Sequence, residues 1–134
     1  MTRQNISSGG PWEDIVGYSR AVRVGPFVAV AGSTAMTPQG LVGVDDAYAQ
    51  AIQSFKTIEA ALEKAGARLD QVIRTRIYLT SAADSDAVGR AHAEFFRTIK
   101  PAATMVVIKG LIDPAMLVEV EADAWVGEQG GRTI

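Results

Sequence analysis

The stretch MLVEVEADAWV, residues 116–126, limits the possible folds more than any other part of the chain. Apolar and acidic residues alternate along it, and a two-residue period belongs to a β-strand with one covered face. Met116, Val118, Val120, Ala122 and Ala124 point toward a core, while Leu117, Glu119, Glu121, Asp123 and Trp125 point away from it. Same-face neighbours on a strand lie about 6.5 Å apart, so three carboxylates in a row need opposing cations or water. Any sheet built on this strand has one apolar face and one face that is wet or meets another surface.

The rest of the chain supplies that sheet and its cover. YSRAVRVG alternates as a strand, with Tyr18, Arg20, Val22 and Val24 on one side. Gly25-Pro26 turns the chain into FVAVAGS, a continuous apolar strand of the kind buried on both faces. TPQG reads as a turn and LVGV as a short strand. Asp45 or Asp46 then caps a helix whose apolar stripe is Tyr48, Ala51, Ile52, Phe55, Ile58 and Leu62, with Gly66 as its stop. VIRTRIYLT is a strand expected to place Ile73, Thr75, Ile77 and Leu79 on one face and Arg74, Arg76 and Tyr78 on the other. A second helix spans about Asp84 to Ile99, with Val88, Ala91, His92 and Phe95 inside, and Pro101 ends it. KPAATMVVIKG supplies another strand.

The order ββ(β)αβαββ predicts an α+β fold with both helices on one sheet face, because right-handed crossovers put them there. The other face is left without helical cover. At 134 residues the chain is expected to form a single domain, 1–134, with about 1–14 and 127–134 as flexible polar and glycine-rich ends.

Composition narrows the chemistry. With no cysteine, there is no disulfide, thiolate nucleophile or cysteine-ligated metal. A net charge of −2 disfavours a nucleic-acid partner held by electrostatics. No segment approaches about 18 uncharged apolar residues, and the first residues lack the apolar core of a leader, so no membrane partner and a cytoplasmic location are expected. No P-loop, dinucleotide-binding glycine pattern or nucleophile elbow is present, and neither a metal nor a cofactor is expected. The carboxylates facing Arg20, Arg74 and Arg76 read first as a salt-bridged sheet face. His92, the only histidine, reads first as a packed core residue.

Taken together, GYSRAVRVG, FVAVAGS, EKAGARLDQVIRTRIYLT, AHAEFF, KPAATMV and LVEVEADAWV resemble the Rid family, the reactive intermediate deaminases formerly called the YjgF family. The resemblance runs from about Tyr18 to Trp125. It implies a chorismate-mutase-like fold and a homotrimer with three clefts between subunits. It also implies hydrolysis of enamines or imines without a metal, an arginine holding the substrate carboxylate and a glutamate handling water. Glu119 matches that glutamate. Tyr18 matches the cleft tyrosine, Gly32 the glycine whose backbone approaches ligand, and Met105 the residue whose main chain borders it; Ser33 flanks the glycine. The arginine of the family's P-A-R motif is absent, because Pro101-Ala102 is followed by Ala103. Ala31 and Ser33 replace the polar residues that commonly flank the glycine, and Gly89 stands where active members tend to carry asparagine. Lys109 lies about 20 Å from Ala103 along an extended strand, too far to substitute within one subunit.

Three functions stay open on this reading. The first is hydrolysis of an enamine, imine or related C=N or amide compound, with Glu119 handling water and His92 as a helper. The second is a non-catalytic binding module for a small-molecule ligand. The third, disfavoured by charge, is a ribonuclease or translation inhibitor.

Overall fold

The computed structural model describes residues 1–127. Among the described residues there are eight strands: β1 (Arg3–Ile6), β2 (Ala21–Val24), β3 (Phe27–Ser33), β4 (Met36–Thr37), β5 (Gly40–Leu41), β6 (Val72–Leu79), β7 (Ala102–Val107) and β8 (Val118–Trp125). Six of them form one sheet in the order β1-β2-β3-β8-β6-β7, and β4 and β5 form a separate hairpin. Only β6 and β7 run parallel in the large sheet, joined by the crossover that contains the second helix. The expected mixed α and β fold, with one sheet and two main helices, is the fold observed.

Helix α1 (Ala47–Lys64) starts where Asp46 accepts a hydrogen bond from the Ala49 amide at 3.0 Å. It ends at Gly66, whose φ of +80° is a left-handed turn that glycine adopts without steric cost. Helix α2 (Ser85–Phe96) is shorter than its periodicity predicts. Pro101 disfavours helical backbone just before it, and the chain closes instead through Ile99 and Lys100 amides donating to the Phe96 carbonyl.

Both helices contribute to one core, in which Phe55, Ile58, Leu62, Val88, Ala91 and Phe96 meet Val118, Val120, Ala122 and Ala124 of β8. The alternation in β8 is therefore realised as read. Four expectations need correction. Residues 3–6 are a strand paired with β2, not part of a flexible end; their polar sequence gives no periodic signal. LVGV is a loop apart from Leu41. Ile73 does not share the face of Thr75, because the β6–β8 register slips between Val72 and Arg74 and leaves Ile73 49% exposed. FVAVAGS is covered on one face only, with Val28 and Val30 buried and Ala29 and Ala31 partly open. The end expected at 127–134 lies outside the described residues from 128 onward.

No helix among the described residues is long and apolar enough to cross a membrane.

Candidate functional site

The site begins with an irregularity in β3. Val30 is paired with Ala122 and Ser33 with Val120, so three steps on β3 match two on β8. This bulge leaves backbone carbonyls without their regular partners. Arg20 supplies them. Its Nη1 donates to the Gly32 carbonyl at 2.7 Å, to Ser33 Oγ at 3.0 Å and to the Ala31 carbonyl at 3.5 Å. Its other terminal nitrogen reaches the Tyr18 hydroxyl at 3.5 Å, with the guanidinium 5.6 Å from the centre of the Tyr18 ring. Ser33 is buried, and its hydroxyl donates to the Ala31 carbonyl at 3.0 Å.

Glu119 lies against this bulge. A β-carbon added at Gly32 would overlap Glu119 Oε2 and stand 2.9 Å from its Cδ, so only glycine allows the carboxylate to rest there. Burial raises the Glu119 pKa, Glu121 on the same face raises it further, and Arg20 opposes both. Glu119 has no hydrogen-bond or ion-pair partner among the described residues. Its neighbours do: Arg76 pairs with Asp123 at 3.1 Å and Glu121 at 3.6 Å, and the Tyr78 hydroxyl donates to Glu121 at 3.0 Å. The salt-bridged face read from sequence is thus present around Arg76 and stops short of Glu119. A half-buried carboxylate left free beside a backbone bulge has the geometry of a proton acceptor.

The obstacle at Gly32 is the far end of a flexible side chain. Gly32→Ala is accordingly expected to change stability by less than about 1 kcal/mol while rotating Glu119 out of the site. A crystal structure of the variant checks the rotation and denaturant unfolding checks the cost.

The other sequence candidates lie elsewhere. His92 sits on the helix-covered side, where its Nε2 is 2.9 Å from Thr75 Oγ1 and its ring packs against Phe55 and Phe96. Thr75 is fully buried on that side, so the sheet separates His92 from Glu119, and the chain does not bring the expected helper to the site. Burial lowers the His92 pKa. Its neutral form then contributes stability that is complete above the unfolded value of about 6.5 and is lost as pH falls through the lower folded value. The stability difference between the parent and His92→Gln should therefore shrink on acidification below about pH 6.5, as read by urea midpoints across pH.

Ala103 and Met105 lie on β7, two strands beyond β8 and roughly 10 Å away across the sheet. They stand beside Thr75 and Ile77, residues of the helix-covered side, whereas Glu119 stands beside Tyr78 on the open side. One chain therefore unites Tyr18, Gly32, Ser33 and Glu119 but not Ala103 or Met105. Arg20 was missed as the bulge's partner because sequence shows its face and not the bulge opposite it. Lys109 lies beyond the end of β7. A shallow hollow of about 530 Å³ borders Tyr18 and Ala31 over β1–β3 but excludes Glu119, so it flanks the cluster without containing its acidic centre. Among the described residues no group of histidines and carboxylates is arranged to hold a metal ion.

Residues 12–126 match the sequence profile of the family described as Endoribonuclease L-PSP. An uncharacterized protein of Streptomyces coelicolor is 43% identical over 124 residues, covering 92% of each chain. The chain belongs to the YjgF/Rid family. Among solved structures, Rv2704 of Mycobacterium tuberculosis, a member of the YjgF/YER057c/UK114 family, is 47% identical. It superposes with a TM-score of 0.86 over 93% of this chain and all of that one (100%). YyfA of Yersinia pestis, from the conserved Rid protein family, is 29% identical with a TM-score of 0.83, over 93% of this chain and 100% of its own. Family membership covers the bulge, the glycine and the free glutamate alike, since all lie within the matched span.

Proposed function

We propose that this Rid-family chain acts on a small metabolite at Glu119, hydrolysing a C=N bond. The observation that carries the reading is the half-buried Glu119 carboxylate, without a hydrogen-bond or ion-pair partner among the described residues and seated against Gly32. Glu119 accepts a proton from water as the water oxygen bonds to the C=N carbon. That proton passes to nitrogen to give a carbinolamine, whose hydroxyl proton follows it to nitrogen through Glu119 as the C–N bond breaks, leaving a carbonyl product and ammonia. The step balances without metal, cofactor or oxidant. Positioning comes from the Arg20-pinned bulge against which Glu119 rests and from Tyr18, whose hydroxyl the same Arg20 reaches.

A homotrimer supports this chemistry. The open sheet face carries exposed Phe27, Trp125 and Val106, and the whole of β7 is exposed. A second copy placing its β7 edge against the Glu119 cluster would join the two groups of residues that one chain keeps apart. The absence of an arginine at position 103 favours a second reading, a binding module that holds its ligand without turnover. A ribonuclease finds less support, because the open face carries Glu119, Glu121 and Asp123 and would repel phosphates.

The test is to generate an imine in situ and follow carbonyl release with and without the protein. Accelerated release supports the hydrolase. Thermal stabilisation by the same compounds without acceleration supports the binding module.

A further inference from the structure

We infer that the ligand of the Glu119 site is a small nitrogen cation or N–H donor that carries no carboxylate. The inference rests on the small-metabolite reading above and specifies its ligand class. The cation nearest the site, Arg20, is engaged by three oxygens of the bulge through one nitrogen. Turning it toward a ligand would strand the Gly32 carbonyl and loosen the bulge that seats Glu119. Arg76 is held by Asp123 and Glu121. Arg74 lies four residues along β6 from Tyr78, the residue opposite Glu119, or about 13 Å away. A carboxylate entering here would meet the Glu119 and Glu121 charges, and among the described residues of its own chain the nearby cations Arg20 and Arg76 are already engaged. A protonated imine meets the reverse situation. Its N–H groups find a carboxylate with unused lone pairs, seated against the bulge whose Arg20 also reaches the 39% exposed Tyr18.

The chemistry follows in the same direction. Hydrolysis of a protonated imine consumes one water and yields a neutral carbonyl and ammonium, so the charge at Glu119 stays balanced from substrate to product. The reaction that supplies such a substrate is one that releases imines already lacking a carboxylate, such as the two-electron oxidation of a primary amine in which an external acceptor takes the hydride.

Propionamidine and propionate make a matched pair of probes. The first is a stable cation shaped like a protonated imine, and the second is a carboxylate of the same size. Each is titrated into the full-length protein at one ionic strength while the amide signals of Tyr18, Gly32 and Glu119 are followed by NMR. Propionamidine is expected to shift all three, at least tenfold more weakly in Glu119→Gln, and propionate is expected to leave them in place at the same concentrations. Equal or stronger shifts with propionate overturn the ligand class and leave the site standing. Propionamidine shifts that persist unchanged in Glu119→Gln overturn the ligand class as well. Silence of all three signals toward both probes overturns the site and the ligand class together.

Discussion

Glu119→Gln is expected to lower kcat/KM for C=N hydrolysis by about 100-fold or more and at the same time to make the protein more stable at neutral pH. Both effects come from one feature. In the folded chain burial and Glu121 raise the carboxyl pKa, so the ionised form is held at a cost that the unfolded chain does not bear. Stability from this group is greatest below the unfolded value of about 4.3, and declines as pH rises through the higher folded value. Glutamine keeps the shape and removes the charge. Thermal midpoints of parent and variant should differ in favour of the variant at pH 7 and converge as pH falls toward 4. A variant less stable than the parent at pH 7 would mean that the carboxylate is satisfied by groups the single chain does not show. The same variant in the imine assay separates a catalytic carboxylate from a spectator.

Phe55→Ala is expected to destabilise the fold by about 3–5 kcal/mol, at the upper end for the truncation of one core side chain. Phe55 is fully buried, and its ring lies 5.3 Å from that of Phe95, 5.6 Å from that of His92 and 5.8 Å from that of Phe96. It is the point where α1 meets α2, so its loss opens a cavity that neither rigid helix can fill. Against a total stability of roughly 5–15 kcal/mol for a domain, that is a large share. Urea unfolding at a fixed chain concentration reads it as a lower midpoint with unchanged slope. A shift equivalent to less than about 1 kcal/mol would show that the aromatic cluster does not hold the helices together.

The elements of this fold were legible wherever the pattern is local. Alternation in β8 placed Glu119 on the open face, and the cap at Asp46 and the stop at Gly66 bounded α1 because each acts within a turn of its own residue. Ile73 was misplaced because a register slip reverses side-chain direction without changing composition. Strand β1 was missed because Arg3, Gln4 and Asn5 carry no apolar period, and they are ordered only by the partner strand. Tyr18, Gly32 and Glu119 entered as candidates through a family resemblance, and the contact between Gly32 and Glu119 could not be read from either segment. It depends on pairing between β3 and β8, which lie some 90 residues apart, and on one extra residue in the bulge. Arg20 illustrates the same limit. Its face was legible, yet its partners are carbonyls exposed by an irregularity that leaves no compositional trace.

The chain carries its candidate site residues in two separated groups, the Glu119 cluster and the β7 edge, and on the proposed function it needs further copies to join them. Sedimentation equilibrium tests this most directly. The expected mass is about three times the chain's 14.2 kDa, held across loading concentrations. A mass of 14.2 kDa throughout would contradict the assembly, because a monomer leaves Ala103 and Met105 on the far side of the sheet from Glu119.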